Sequence, residues 1–454
     1  MHLSVISKRW SDIAEKIMSV DISNAKIQLV EDKQRTMVYE AIQIASSFDQ
    51  DSEAQIQIKA IPINCTQLTL YGTGLGAVQR RLLNNNNIHQ LNVVIMNISL
   101  FKAALTHFNQ TDWLEHPKVK LILADDTHRI NSPFIALPAE LVLADNTSAR
   151  LRDMLCLTLD TPFIEAKKGQ GNQKLLNKII RNKQYIKQDN NVSDLFKDKG
   201  TDNDLLKGSD ERKFIICGAG PTLETHLSWL ANIVDRQNFF IVAVDAAVMP
   251  LATVGVIPDL VVSIDPVAKK LFAQLSMENY KATPLVYFPV LDSQFLDTWL
   301  GDRYVAYSTG TLYDNINLEL PVGRLYSGGS VIHPAVDLAV KMGAQNIFLL
   351  GCDFSFPDGK THTFWQEDSS TTAFHVSANN TSHWVLNGKN ERVPTLLNFR
   401  GYLRDLEQYI ALTQGVKFYN TSDKGALILG TTLILETAQI LDTTQILDTT
   451  LRHS

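Results

Sequence analysis

The stretch whose reading decides the fold is KFIICGAGPTLETHLSWL, from Lys213 to Leu230. Four apolar residues, Phe214 to Cys217, predict a strand that runs into Gly218-Ala219-Gly220-Pro221 and then into a helix. Glycines let the backbone turn sharply and approach a ligand closely. Pro221 pre-sets φ for a first helical turn, whose free N–H groups favour an anion. A second stretch, YSGGSVIHPAVDLAVKMGAQNIFLLGCDFSF from Tyr326 to Phe356, reads as a Ser/Gly-rich loop and a helix ending at Gly343. A strand from Ile347 to Leu350 follows, with Asp353 just past its carboxyl end. In open α/β sheets ligands bind at such strand ends.

Outward from these two stretches, near-continuous apolar runs recur at Phe240–Val244, Leu260–Ile264 and Pro284–Phe288. Separated by helical stretches, they predict an α/β fold whose core is a Rossmann-like, mostly parallel sheet covered on both faces. We place this nucleotide-binding core at 212–368. A polar linker with one helix, around Leu175 to Tyr185, precedes it over 166–211. A C-terminal helical region and tail follow over 369–454, including a helix from Thr395 to Ala411. The segment Gln439 to Thr444 repeats identically as Gln445 to Thr450, and two copies are too few for a solenoid.

Residues 61–165 read as a smaller Rossmann-like domain, and 1–60 as a helical cap. The small domain shows a strand (Gln67–Tyr71), the turn Gly72-Thr73-Gly74-Leu75-Gly76, a helix (Ala77–Leu83) and strands at Leu91–Met96 and Val119–Leu123. Working dinucleotide sites carry a ribose-binding acid after the second strand, where this chain has Asn97-Ile98. The turn is therefore read as structural, with a nucleotide pocket as the alternative.

The 454 residues are 45% hydrophobic and 20% charged, with a net charge of −6, so no global basic field draws the chain to nucleic acid or anionic lipid. The most apolar region, Phe239 to Ile264, is interrupted by Asp245, Pro250 and Asp259, whereas a membrane span needs ~20 apolar residues. Four cysteines lack metal-type spacing, and Cys217 and Cys352 read as small buried residues. With no N-terminal signal pattern, the expectation is a cytoplasmic protein.

Three aspartates follow core strands directly: Asp245, Asp265 and Asp353. Each alone suits a helix cap. Three at one sheet edge repel unless a ligand, a cation or a donor network holds them. His333 follows Ser327-Gly328-Gly329-Ser330 in a first helical turn, and His362 lies on the loop after Asp353. A histidine over the ligand edge suits general-base work. His375 and His383 are further candidates, and no histidine spacing signals a metal centre.

Four motifs in this order resemble the core of the bacterial motility-associated factor (Maf) family. They are GAGPTLE (from Gly218), VDAAVMPLATVGVIPDLVVSIDP (from Val244), GGSVIHPAVDLAVKMGAQNIFLLGCDFSFPDGKTH (from Gly328) and YNTSDKGALILGT (from Tyr419). The resemblance implies a flagellin glycosyltransferase moving a nonulosonic acid from its CMP ester onto Ser/Thr. Gly218, Ala219, Gly220, Pro221 and Thr222 would then hold the CMP phosphate, and Asp245 and Asp265 the ribose or base. Ser327, Gly328, Gly329 and Ser330 would support the sugar carboxylate, and His362 or His333, with Asp353, the catalysis. The partners implied are the CMP-sugar donor and flagellin; the resemblance fixes no cofactor, and Mg²⁺ is compatible. The core is also similar to CMP-sialic-acid sialyltransferases, but Ala219 and Asp245 stand where those enzymes carry asparagines. Asp353-Phe354-Ser355 likewise lacks their tyrosines. An archaeal hydroxymethylpterin diphosphokinase resembles the same glycine motif. This leaves two alternatives: a diphosphotransferase with ATP and Mg²⁺ on Asp245, Asp265 or Asp353, and a non-catalytic flagellin-binding module.

Overall fold

The computed structural model describes residues 2–59, 61–62, 64–125, 128–168, 172–197, 205, 212–266, 268–364, 383–435 and 440. His375, the duplicated tail and parts of the 166–211 segment lie outside the described residues. The chain divides into two compact units, Met1–Asp160 and Thr161–Ser454.

In the first unit, β1 (Ile27–Glu31), β2 (Arg35–Tyr39) and β3 (Ile42–Gln43) form an antiparallel meander. The segment 1–60, expected as a helical cap, thus holds this meander together with the helices His2–Arg9, Ser11–Ser19 and Gln50–Ile58. Thr36, Val38 and Tyr39 are β-formers, and the strand packs inward, with Thr36 and Met37 both fully buried. β4 (Gln67–Tyr71), β5 (Gln90–Ile95), β6 (Val119–Leu123) and β7 (Phe134–Ala136) make a parallel sheet in the order β6-β5-β4-β7. Asn97 caps the helix Ile98–His107, its Oδ1 accepting from the Leu100 N–H at 3.0 Å.

The second unit is built on nine parallel strands. They are β8 (Asn190–Asn191), β9 (Lys213–Cys217), β10 (Phe239–Val244), β11 (Leu260–Ser263), β12 (Leu285–Tyr287), β13 (Arg303–Val305), β16 (Asn346–Leu350), β19 (Lys417–Asn420) and β20 (Thr432–Leu433). Two small pairs complete it, β14 (Tyr307–Ser308) with β15 (Arg324–Leu325), and β17 (Trp384–Leu386) with β18 (Arg392–Pro394). The order is β20-β19-β16-β9-β10-β11-β12-β13-β8, every pairing parallel. All six residues of β10 are buried, as a strand covered on both faces requires. The fold class is therefore α/β with a Rossmann-like core.

The sheet extends beyond the expected 212–368 core on both sides. β8 comes from the segment read as a linker; two asparagines carry no apolar pattern to announce a strand, yet they close an edge against β13. β19 and β20 come from the region read as helical. Among the described residues, no helix is long and apolar enough to cross a membrane.

Candidate functional site

The chain leaves β9 toward β10 on one side of the sheet, and β16 toward β19 on the other. The crevice beside the carboxyl ends of β9 and β16 is thus a topological switch point, where open α/β sheets bind ligands. Both deciding stretches of the sequence end here.

The two loops are tied together through their backbones. The Gly218 N–H donates to Leu350 O and the Gly220 N–H to Gly351 O, each at 2.8 Å. Asp353 completes the join: its Oδ2 accepts from the Thr222 N–H at 2.9 Å and its Oδ1 from the Thr222 hydroxyl at 2.5 Å. This corrects the expected phosphate cradle. The N–H groups of Gly218, Gly220 and Thr222 are engaged within the fold, and Pro221 has none to offer. The anion expected at this turn is supplied by the chain's own carboxylate.

A cavity of about 380 Å³ opens over this join. It brings together Ala219, Gly220, Asp245, Asp265, Ser330, Asp353 and His362 from the expected set. Gly218, Pro221, Thr222, Ser327, Gly328, Gly329 and His333 are not among its lining residues. The sequence reading missed the aromatic wall of Phe356, Phe399 and Tyr402. Its signal was present: Leu396, Phe399 and Tyr402 recur at helical spacing along Leu397–Leu412 and its cap, a second apolar stripe beside the buried one of Leu403, Leu406 and Ile410.

The three aspartates differ in what they face. Asp245 is buried; its Oδ1 accepts from the Ala246 N–H at 2.8 Å and its Oδ2 from the Ser263 hydroxyl at 2.9 Å. Burial pushes its carboxyl up to about 6, and the nearby Asp265 charge adds to that push. Asp353 is likewise pushed up to about 6 by burial, against the downward pull of its two Thr222 bonds. Both therefore act first as ties between loops. Asp265, half-buried, is the aspartate of the cavity wall that couples to Asp245.

His362 is half-buried, its imidazolium disfavoured by desolvation, so the ring is neutral near pH 7. Its Nδ1 lies 2.8 Å from the Thr361 hydroxyl. The next residue fixes the loop: the Thr363 N–H and hydroxyl donate to Ala219 O at 2.9 and 3.0 Å, and the hydroxyl also reaches Gly220 O at 2.7 Å. The glycine turn thus spends its carbonyls on holding the histidine loop in place.

His333 departs from its expected role. It is fully buried, its Nδ1 accepting from the Gly328 N–H at 2.9 Å and its Nε2 lying 2.8 Å from Tyr402 O. An acceptor bond at Nδ1 puts the proton on Nε2, which donates to the carbonyl. Neither nitrogen then has a lone pair for a substrate, and the ring serves to shape the Ser/Gly loop. Gly328 and Gly329 follow it: a Cβ on Gly328 would press on Asp405, and Gly329 sits at φ +103°. His383 contacts Arg400 at 3.3 Å and is not among the lining residues. Cys217 is fully buried and its thiol pushed up to about 12, as an inert small core residue should be.

The Asp353 tie is testable apart from any activity. Asp353→Ala leaves the Thr222 N–H buried without an acceptor and should cost ~1–3 kcal/mol. Asp353→Asn keeps an acceptor for that N–H, and its NH₂ can donate to the threonine hydroxyl. A carboxyl raised from 3.8 to about 6 on folding contributes stability that is full below 3.8 and lost as pH rises through 6. Thermal unfolding between pH 4 and 8 should therefore show a flatter profile for the asparagine variant than for wild type.

A family model described as 6-hydroxymethylpterin diphosphokinase MptE-like matches residues 177–359. No curated protein sequence matches this chain. Among solved structures, the chain is similar to a MAf glycosyltransferase from Magnetospirillum magneticum AMB-1 at 12% identity and a TM-score of 0.42. That similarity covers 96% of this chain and 74% of the other. It is also similar to spermidine synthase from Thermotoga maritima at 13% identity and a TM-score of 0.23, over 26% of this chain and 48% of that one.

Proposed function

We propose that the chain is a glycosyltransferase that moves a nonulosonic acid, of pseudaminic or legionaminic type, from its CMP ester onto Ser/Thr of flagellin with inversion. The observation that carries this reading is the cavity lining, in which Asp245, Asp265, Asp353 and His362 stand beside the aromatic Phe399 and Tyr402. The pyrimidine ring of a CMP-sugar suits the Phe399–Tyr402 wall.

In this reading His362 Nε2 removes the acceptor hydroxyl proton. That requires the tautomer in which Nδ1–H donates to the Thr361 hydroxyl. Asp265 binds the ribose or base, and Asp245 positions it by accepting the Asp265 backbone N–H. The Ser330 hydroxyl meets the sugar carboxylate. Inverting displacement needs one base and a stabilised leaving phosphate, with no covalent enzyme intermediate.

The second reading is a diphosphotransferase using ATP and Mg²⁺, favoured by the family model over 177–359. Thermal shift with CMP, CDP, ATP and GTP, each with Mg²⁺ or EDTA, separates the two. Binding stabilises by mass action, about 2.7 kcal/mol at a hundredfold excess over Kd. We expect CMP to raise the melting temperature in EDTA. Stabilisation by ATP with Mg²⁺ alone would replace the glycosyltransferase reading.

A further inference from the structure

The first unit has a glycine turn of its own, and it too is filled from within. After β4, Gly72, Gly74 and Gly76 adopt φ of +107°, +50° and +91°, a backbone that favours glycine. Glu140, on the helix Pro138–Val142, is 1% exposed. Its Oε1 accepts from the Thr73 N–H at 2.6 Å, from the Gly74 N–H, and from the Thr73 hydroxyl at 3.2 Å. These are the donors that a bound anion would use at such a turn.

The other carboxyl oxygen tells what form the group takes. Glu140 Oε2 is buried and meets no hydrogen-bond donor among the described residues. Gln79, fully buried, donates from Nε2 to Thr73 O at 2.5 Å and leaves its own Oε1 equally unmet. Two acceptors are thus orphaned around one residue, Thr73. An ionised carboxylate oxygen buried without a donor carries its full desolvation cost. A proton on Oε2 removes the charge and turns one orphaned acceptor into a donor.

We propose that Glu140 is the built-in occupant of the first unit's glycine turn and is held there as the neutral acid, with its proton on Oε2. The turn is then closed to phosphate ligands by its own chain. Burial raises the Glu140 carboxyl to about 7, and the opposing pulls come from Gly74 and Thr73, neither of them charged. The sign follows: a carboxyl raised from 4.5 to about 7 contributes stability that is full below 4.5 and lost as pH rises through 7.

The test is thermal unfolding of the full chain from pH 4.5 to 8, comparing wild type with Glu140→Gln and Glu140→Ala. Glutamine reproduces the neutral acid, accepting at its oxygen and donating from its nitrogen. Relative to Glu140→Gln, the wild-type unfolding constant should rise up to about tenfold per pH unit between 4.5 and 7. Taking the difference removes the similar contributions of Asp245 and Asp353. Glu140→Ala, lacking the acceptor, should melt below both at pH 4.5. Parallel wild-type and glutamine profiles, or a glutamine variant that does not fold, would overturn the proton assignment. An alanine variant as stable as the glutamine variant at pH 4.5 would overturn the role of occupant.

Discussion

On the proposed glycosyltransferase reading, His362→Ala is expected to lower transfer onto flagellin by ~10²–10⁴, the usual cost of removing a general base, while leaving the chain folded and CMP binding intact. The loop does not depend on the imidazole for its position. Thr363 holds it to Ala219 and Gly220, and Lys360 pairs with Glu224 at 2.9 Å. Loss of rate without loss of CMP binding is the combination that separates a base from a packing residue. Flagellin glycosylation in a cell lacking the native enzyme is the readout, with thermal shift by CMP as the control. Wild-type modification by the alanine variant would remove His362 from the mechanism. His333, its ring nitrogens committed, would not inherit the role; His375 and His383 would remain to be tested.

Gly220→Ala should have a large effect on the fold. A Cβ there would meet Asp353 Oδ2 and, at 2.7 Å, the carbonyl oxygen of Gly351. Neither can move without breaking the tie between β9 and β16. Gly425 closes the other side of the same carboxylate, its own Cβ position lying 2.5 Å from Asp353 Oδ1. Overpacking costs typically ~1–3 kcal/mol, and a rigid backbone neighbour puts this site at the upper end, a drop in Tm of roughly 5–10 °C. Differential scanning calorimetry measures it. On the proposed reading CMP should also lose its stabilising effect, because the cavity floor is displaced. An unchanged Tm would mean that the two loops are not locked as described.

The comparison of sequence with structure turns on which interactions are local. β9, β10, β11 and β16 were legible because strands buried on both faces must be apolar throughout. The glycine turn and Asp353 were legible as neighbours of one sheet edge. The state of their polar groups was not. Whether the Gly220 N–H is free depends on Gly351 O, and whether His333 is a base depends on Tyr402 O, 69 residues along the chain. The same holds in the first unit, where Glu140 fills the turn from 67 residues away. A glycine motif reports a backbone shape; the occupant of that shape comes from elsewhere in the chain. β8 was missed for another reason: an edge strand of two asparagines has no side-chain pattern to read.

The strand order also bears on how the chain is made. β9 lies inside its sheet, with β10 the next strand in sequence on one side and β16, much later, on the other. At synthesis rates of ~5–20 residues per second, the stretch from Cys217 to Asn346 takes on the order of ten seconds to emerge. Throughout that interval β9, four of whose five residues become buried, carries one edge of unpaired backbone groups. The glycine turn stays unfinished for as long, since Leu350, Gly351 and Asp353 all arrive with β16. A ribosome that stalls within this stretch would leave a half-sheet with an open, apolar edge, a natural substrate for chaperones that cover nascent strands.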